Sequence, residues 1–133
     1  MSARLVMVKP GGTVQEAVRL MVANNISGLI VEEGGKAVGI VTMKGIFKKV
    51  LAVDGDTRKT KVGDIMSKPV LSVNPLSKVE KAAELMTEHH VKRLAVVDGS
   101  NRVVGIVTAM DIVSNLPELI DVMFRTWVKP QWR

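Results

Sequence analysis

Apolar residues recur along the chain with two periods, and the switches between them set out the elements. Val14, Ala17, Val18 and Met21 fall at i, i+3, i+4 and i+7, as do Val79, Ala82, Ala83 and Met86. That spacing lines one face of a helix and predicts two amphipathic helices. Thr13-x-x-Glu16 and Ser77-x-x-Glu80 open them. Both are patterns of a capping box, in which hydroxyl and carboxylate satisfy free N–H groups of the first turn. β-rich runs come next, Gly28–Val31 then Ala37–Thr42, and Leu94–Val97 then Val103–Val107. These predict strands, with turns at Glu33-Gly34-Gly35-Lys36 and Asp98-Gly99-Ser100-Asn101. Short extended stretches, Leu5–Val8 and Val70–Val73, precede each helix, and further helices are expected from Lys44 to Val53 and from Met110 to Asn115.

The same order therefore occurs twice, and the residues repeat with it. At an offset of 65, Val14, Ala17, Leu20 and Met21 fall on Val79, Ala82, Leu85 and Met86, and Leu29 and Val31 fall on Leu94 and Val96. One extra residue in the second turn moves the offset to 66, after which Val38-Gly39-Ile40-Val41-Thr42 matches Val104-Gly105-Ile106-Val107-Thr108. The reading is an α/β (α+β) chain of two β-α-β-β-α units, residues 1–55 and 63–115, with a polar linker at 56–62 and a helical tail at 116–133. A unit near 60 residues buries too little surface to stand alone. The two should pack on each other with pseudo-two-fold symmetry, leaving equivalent clefts at the junction where ligands bind.

The second unit carries Asp64-Ile65-Met66-Ser67, Val91-Lys92-Arg93-Leu94-Ala95-Val96-Val97-Asp98 and Gly105-Ile106-Val107-Thr108-Ala109-Met110-Asp111-Ile112. In this order the segments resemble a cystathionine-β-synthase (CBS) domain, and the duplicated pair resembles a Bateman module over residues 1 to 115. The resemblance implies a regulatory module without catalytic activity of its own. It also implies an adenosine-containing ligand, with AMP, ADP, ATP and S-adenosylmethionine as candidates and no required cofactor. Paired modules of this kind associate through their helices, so a homodimer is expected, and a regulated protein partner fits the same picture. The expected helix near Lys44 carries Ile46, Phe47, Val50 and Leu51, more apolar surface than one buried stripe requires.

Chemistry points to the second unit. Thr108 ends a strand and Asp111 falls in the first turn of the next helix, where free N–H groups and the helix dipole favour an anion. A Thr hydroxyl can donate to phosphate or sugar oxygens, and a carboxylate can accept from the two hydroxyls of a ribose. Arg93, with Lys92 beside it, could reach the anion, and Ser72 and Val91 complete the candidate set. Helix capping needs the same residue types as Thr108 and Asp111, so both readings stand on chemistry alone. The resemblance favours ligand contact. In the first unit Thr42 is present, but Gly45 replaces the Asp, Met7 replaces Ser72, and Ser27-Gly28 replaces Lys92-Arg93. Thr42 and Lys44 therefore define a second, weaker cleft.

Composition narrows the alternatives. Cysteine is absent and the two histidines, His89 and His90, are adjacent, so thiolate chemistry is excluded and a metal site is not expected. No nucleophile–base pair emerges, so an enzyme is not expected either. No apolar run approaches the ~20 residues of a membrane span, nor is there an apolar signal-peptide core, so a cytoplasmic protein is expected. The net charge of +6 is uneven: Lys44, Lys48, Lys49, Arg58, Lys59 and Lys61 face only Asp54 and Asp56. This 44–61 segment could draw nucleic acid, but four aromatics in the whole chain leave little for base stacking, and a nucleic-acid partner is not expected. A ligand-independent dimerisation or scaffold module is the main alternative. The tail, with Leu119, Ile120, Met123 and Trp127 near helical spacing, needs a surface to cover, on its own module or on a partner.

Overall fold

A computed structural model describes residues 5–115, so the expected tail helix lies outside the described residues. The elements are β1 (Met7–Val8), α1 (Val14–Asn24), β2 (Gly28–Glu33), β3 (Lys36–Thr42), α2 (Met43–Lys49), a 3-10 turn (Leu51–Val53), α3 (Val62–Ile65), β4 (Ser72–Val73), α4 (Val79–His89), β5 (Arg93–Val97), β6 (Val103–Thr108) and α5 (Ala109–Asn115). They form two three-stranded sheets, ordered β1-β2-β3 and β4-β5-β6. In each, the first strand runs parallel to the central one and the third antiparallel to it. The register repeats as well. Ile30 pairs with Met7 and Ile40, and its counterpart Ala95 pairs with Ser72 and Ile106. Both central strands shift register near their ends, at Val31/Glu32 and Val96/Val97. The fold is thus a mixed α and β chain of two like units, as the repeat predicts.

Alternation along the strands divides the buried side chains between two faces. Leu29 and Val31 of β2 join Val14, Ala17 and Met21 of α1 and Ile46 of α2 in one core, and Leu94 joins Ala82, Met86 and Ile112 in the other. Ile30 and Ala95 point to the opposite sheet faces and are fully buried too, so those faces are covered within the chain. The α1 stripe behaves as its period predicts, while Val79 of the matching α4 stripe is 42% exposed.

The two helix starts also differ. Thr13 caps α1, its hydroxyl accepting from the Glu16 N–H at 3.1 Å. Ser77 does not cap α4. Its hydroxyl oxygen accepts from the Asn74 N–H at 3.1 Å, closing the Asn74–Pro75 turn, and Lys78 takes the N-cap position with no side-chain bond. The local turn competes for the hydroxyl and wins. The expected Lys44–Val53 helix is likewise shorter: α2 stops at Lys49, and the 3-10 turn beyond it ends at Asp54 in the left-handed region.

The polar segment between the units is docked on α1. The carbonyls of Thr60 and Thr57 accept from the Val14 and Gln15 N–H groups, both at 2.9 Å, and the Thr57 hydroxyl donates to Gln15 Oε1 at 2.7 Å. Val62 and Ile65 of α3, which the hydropathy pattern does not announce, then complete the first core. The two units touch directly where the Val103 N–H donates to the Gly35 carbonyl at 2.9 Å.

Candidate functional site

The entries to the two central strands meet at a cleft of about 410 Å³. From the first unit come Val6 and the segment Asn25–Gly28; from the second come Lys92, Arg93, Ile106 and the stretch Thr108–Asp111. Of the residues singled out by sequence, Thr108, Asp111, Lys92 and Arg93 line it together. Ser72 and Val91 are not among its lining residues: Ser72 is exposed on β4, and Val91 packs against the second core. Thr42 and Lys44 are not among the lining residues either: Thr42, the strand partner of Gly28, caps α2 through the Gly45 N–H at 3.0 Å, and Lys44 is exposed.

Local structure fixes each group. Arg93 begins β5 directly opposite Thr108, the last residue of β6. The Ala109 N–H donates to the Lys92 carbonyl at 2.9 Å, tying the start of α5 to the start of β5. The Thr108 N–H donates to Asp111 Oδ2 at 2.9 Å, and the Asp111 N–H donates to Thr108 Oγ1 at 3.1 Å. This reciprocal pair is a capping box. It leaves ligand chemistry open, because the threonine oxygen accepts in the cap and its O–H can still donate.

Arg93 is the unusual cation. It is half-buried, and its Nη2 donates to Ser27 Oγ across the junction. The Arg93 side chain also passes close by Gly28, where a Cβ would come within 2.7 Å of Nε and 2.9 Å of Cζ. Loss of solvent lowers its pKa from the ordinary arginine value, but that value is so high that the group stays charged. No carboxylate pairs with it among the described residues. A guanidinium has five N–H donors, and one serine oxygen occupies a small part of them.

Sequence reasoning reached the second-unit half of this cleft and missed the first-unit half. Ser27-Gly28 reads as a lost basic pair, whereas the absent side chain at Gly28 is what gives Arg93 its seat. The repeat itself holds the signal, since residues 27–28 and 92–93 are equivalent positions that a pseudo-two-fold axis brings together. The apolar wall of Val6, Ile26, Ile106 and Met110 was missed as well. A larger groove, about 670 Å³, lies on α4 and offers no basic group to an anion. Among the described residues no cluster of three or more His, Asp or Glu could hold a metal, and no helix is long and apolar enough to cross a membrane. Within the 44–61 basic segment Lys49 donates to the Ile65 carbonyl at 2.9 Å, and Arg58 and Lys59 are exposed in the docked linker.

Comparison with known proteins agrees with the repeat. The family model described as "CBS domain" matches residues 1–52 and 62–118. The CBS domain-containing protein YhcV of Bacillus subtilis is 36% identical over 115 residues, covering 86% of this chain and 81% of that protein. Inosine-5′-monophosphate dehydrogenase of Methanocaldococcus jannaschii is 39% identical over 110 residues, which span 82% of this chain and 21% of the enzyme. Among solved structures, the CBS domain pair of protein MJ0100, in complex with 5′-methylthioadenosine and S-adenosyl-L-methionine, superposes with a TM-score of 0.77 at 30% identity. That match covers 89% of this chain and 92% of the other.

Proposed function

The chain belongs to the CBS domain family as a tandem pair, and from that premise we propose that it is a regulatory module binding an adenosine-containing anion in the Thr108–Asp111 cleft. One observation carries the reading: a half-buried guanidinium, Arg93, faces the cleft with a serine hydroxyl and no carboxylate as its partner among the described residues. A partly desolvated cation of this kind is offset well by an anionic ligand. Lys92 adds a second positive charge at the rim. The Thr108 hydroxyl donates to a phosphate or sugar oxygen, Asp111 accepts from ribose hydroxyls, and the apolar wall takes the flat base. The adenosyl ligands held by the MJ0100 pair support the ligand class. AMP, ADP and ATP suit the charge of Arg93, with S-adenosylmethionine as the non-phosphate candidate.

The module holds its ligand and does not transform it. The dehydrogenase relative supports that role, since the matching segment is 21% of a longer enzyme. The exposed apolar side chains of α2 support a homodimer. A scaffold reading has one observation in its favour, the capping box that accounts for Thr108 and Asp111 without any ligand. Thermal melting in the presence of each candidate separates the two. A ligand that binds only the folded state raises the melting temperature, by about 2.7 kcal/mol of stability at a hundredfold excess over Kd. A shift with AMP, ADP, ATP or S-adenosylmethionine supports the sensor; none with any of the four at millimolar concentration leaves the scaffold.

A further inference from the structure

We propose that residues 116–128 of the same chain dock on the start of α4 as residues 50–62 dock on α1, an inference independent of the ligand and homodimer readings above. In the first unit the chain that follows α2 returns over α1. Its Thr57 and Thr60 carbonyls accept from the Gln15 and Val14 N–H groups, Lys61 pairs with Thr13 in an antiparallel bridge, and Val62 joins Val14 in one core. Val14 is 0% exposed there. The second unit has the equivalent site without that cover among the described residues. Val79, the counterpart of Val14, is 42% exposed. The Val79 and Glu80 N–H groups, counterparts of those of Val14 and Gln15, meet no acceptor among the described residues, and Lys78 supplies no side-chain cap. Val79 lines a groove of about 670 Å³ together with Ala83, Ile112 and the glutamates 80, 84 and 88.

The sequence supplies a matching cover. α2 ends at Lys49 and α5 at Asn115, and the offset of 66 that relates them carries on past both. Val50 falls on Leu116, Lys59-Thr60 on Arg125-Thr126, and Val62 on Val128. Ile112 lines the groove three residues before α5 ends, about 5 Å along a helix, so the chain leaves α5 beside the groove. In this register the Thr126 carbonyl accepts from the Val79 N–H and Val128 covers Val79. Open helix starts need such acceptors, and exposed apolar surface needs such cover. The same register brings two positive charges, Arg125 and Lys129, to a groove that carries three glutamates.

Amide hydrogen exchange on the full chain reads the contact at Val79 and Glu80. In wild type both amides should be protected to the same degree at low and at high micromolar concentration. Val128→Asp should speed their exchange by roughly tenfold or more while β2 and β5 keep their protection. If that variant unfolds the second unit, seen as lost protection in β5, the milder Val128→Thr takes its place with the same expectation. Unprotected Val79 and Glu80 amides in wild type would overturn the proposal, as would protection that a folded Val128 variant leaves untouched. Protection that appears only at the higher concentration would overturn it too, because the cover would then be a second copy.

Discussion

Arg93 and Gly28 show how a residue's role can depend on a partner it meets only in the folded pair. Thr108 and Asp111 were legible in sequence because their geometry is local: three residues apart at a strand–helix junction, they must face one another. The seat for Arg93 was not legible, since it is a missing side chain 65 positions away. A direct consequence can be measured. Arg93→Ala should weaken AMP binding by roughly 10- to 100-fold, the range for losing a charged hydrogen bond, while adenosine without phosphate loses little. Gly28→Ala should act in the same direction with Arg93 still present, because the new methyl displaces the guanidinium by more than a few tenths of an ångström. Calorimetric titration of both ligands into both variants checks this. Equal losses for AMP and adenosine would mean that Arg93 shapes the cleft without touching the phosphate.

At the scale of elements, the two helices that open the units have matching apolar periods and different starts. Thr13 and the carbonyls of Thr57 and Thr60 together satisfy the early N–H groups of α1. At α4 the hydroxyl of Ser77 is engaged in the preceding turn, and the cap position holds Lys78. Strand and helix order could be read from period alone, because burial of one face imposes it. Which of two neighbouring groups a serine bonds could not, because both options satisfy one N–H. Thr13→Ala should therefore destabilise the protein by about 0.5–2 kcal/mol. Lys78→Asp, which supplies an acceptor at the vacant cap and a negative charge at the positive helix end, should stabilise it by about 1 kcal/mol. Urea melts of the two variants report both signs. A neutral or destabilising Lys78→Asp would mean that the start of α4 is satisfied in another way.

Across the whole molecule the two units share a topology but not a core. The first unit's cluster holds eleven buried side chains, among them Val62 of the linker and Ile65 from the start of the second unit, and the second unit's cluster holds four among the described residues. Fewer buried contacts mean easier local opening. Amide hydrogen exchange should therefore be faster in β5 than in β2 without ligand, and AMP should slow β5 the more because Lys92 and Arg93 lie at its start. Exchange that is equal in the two strands would put the stability elsewhere. The cleft draws on both units, so a ligand bound there would contact both of them. The central claim, that this cleft takes an adenosine-containing anion, is tested most directly by calorimetric titration of AMP into wild type and Asp111→Ala, with the melting temperature of each recorded to confirm folding. The expected result is saturable 1:1 binding to wild type and a loss of roughly ten- to hundred-fold in the variant. AMP binding with unchanged affinity in a folded Asp111→Ala protein, or none to wild type at millimolar concentration, would contradict it.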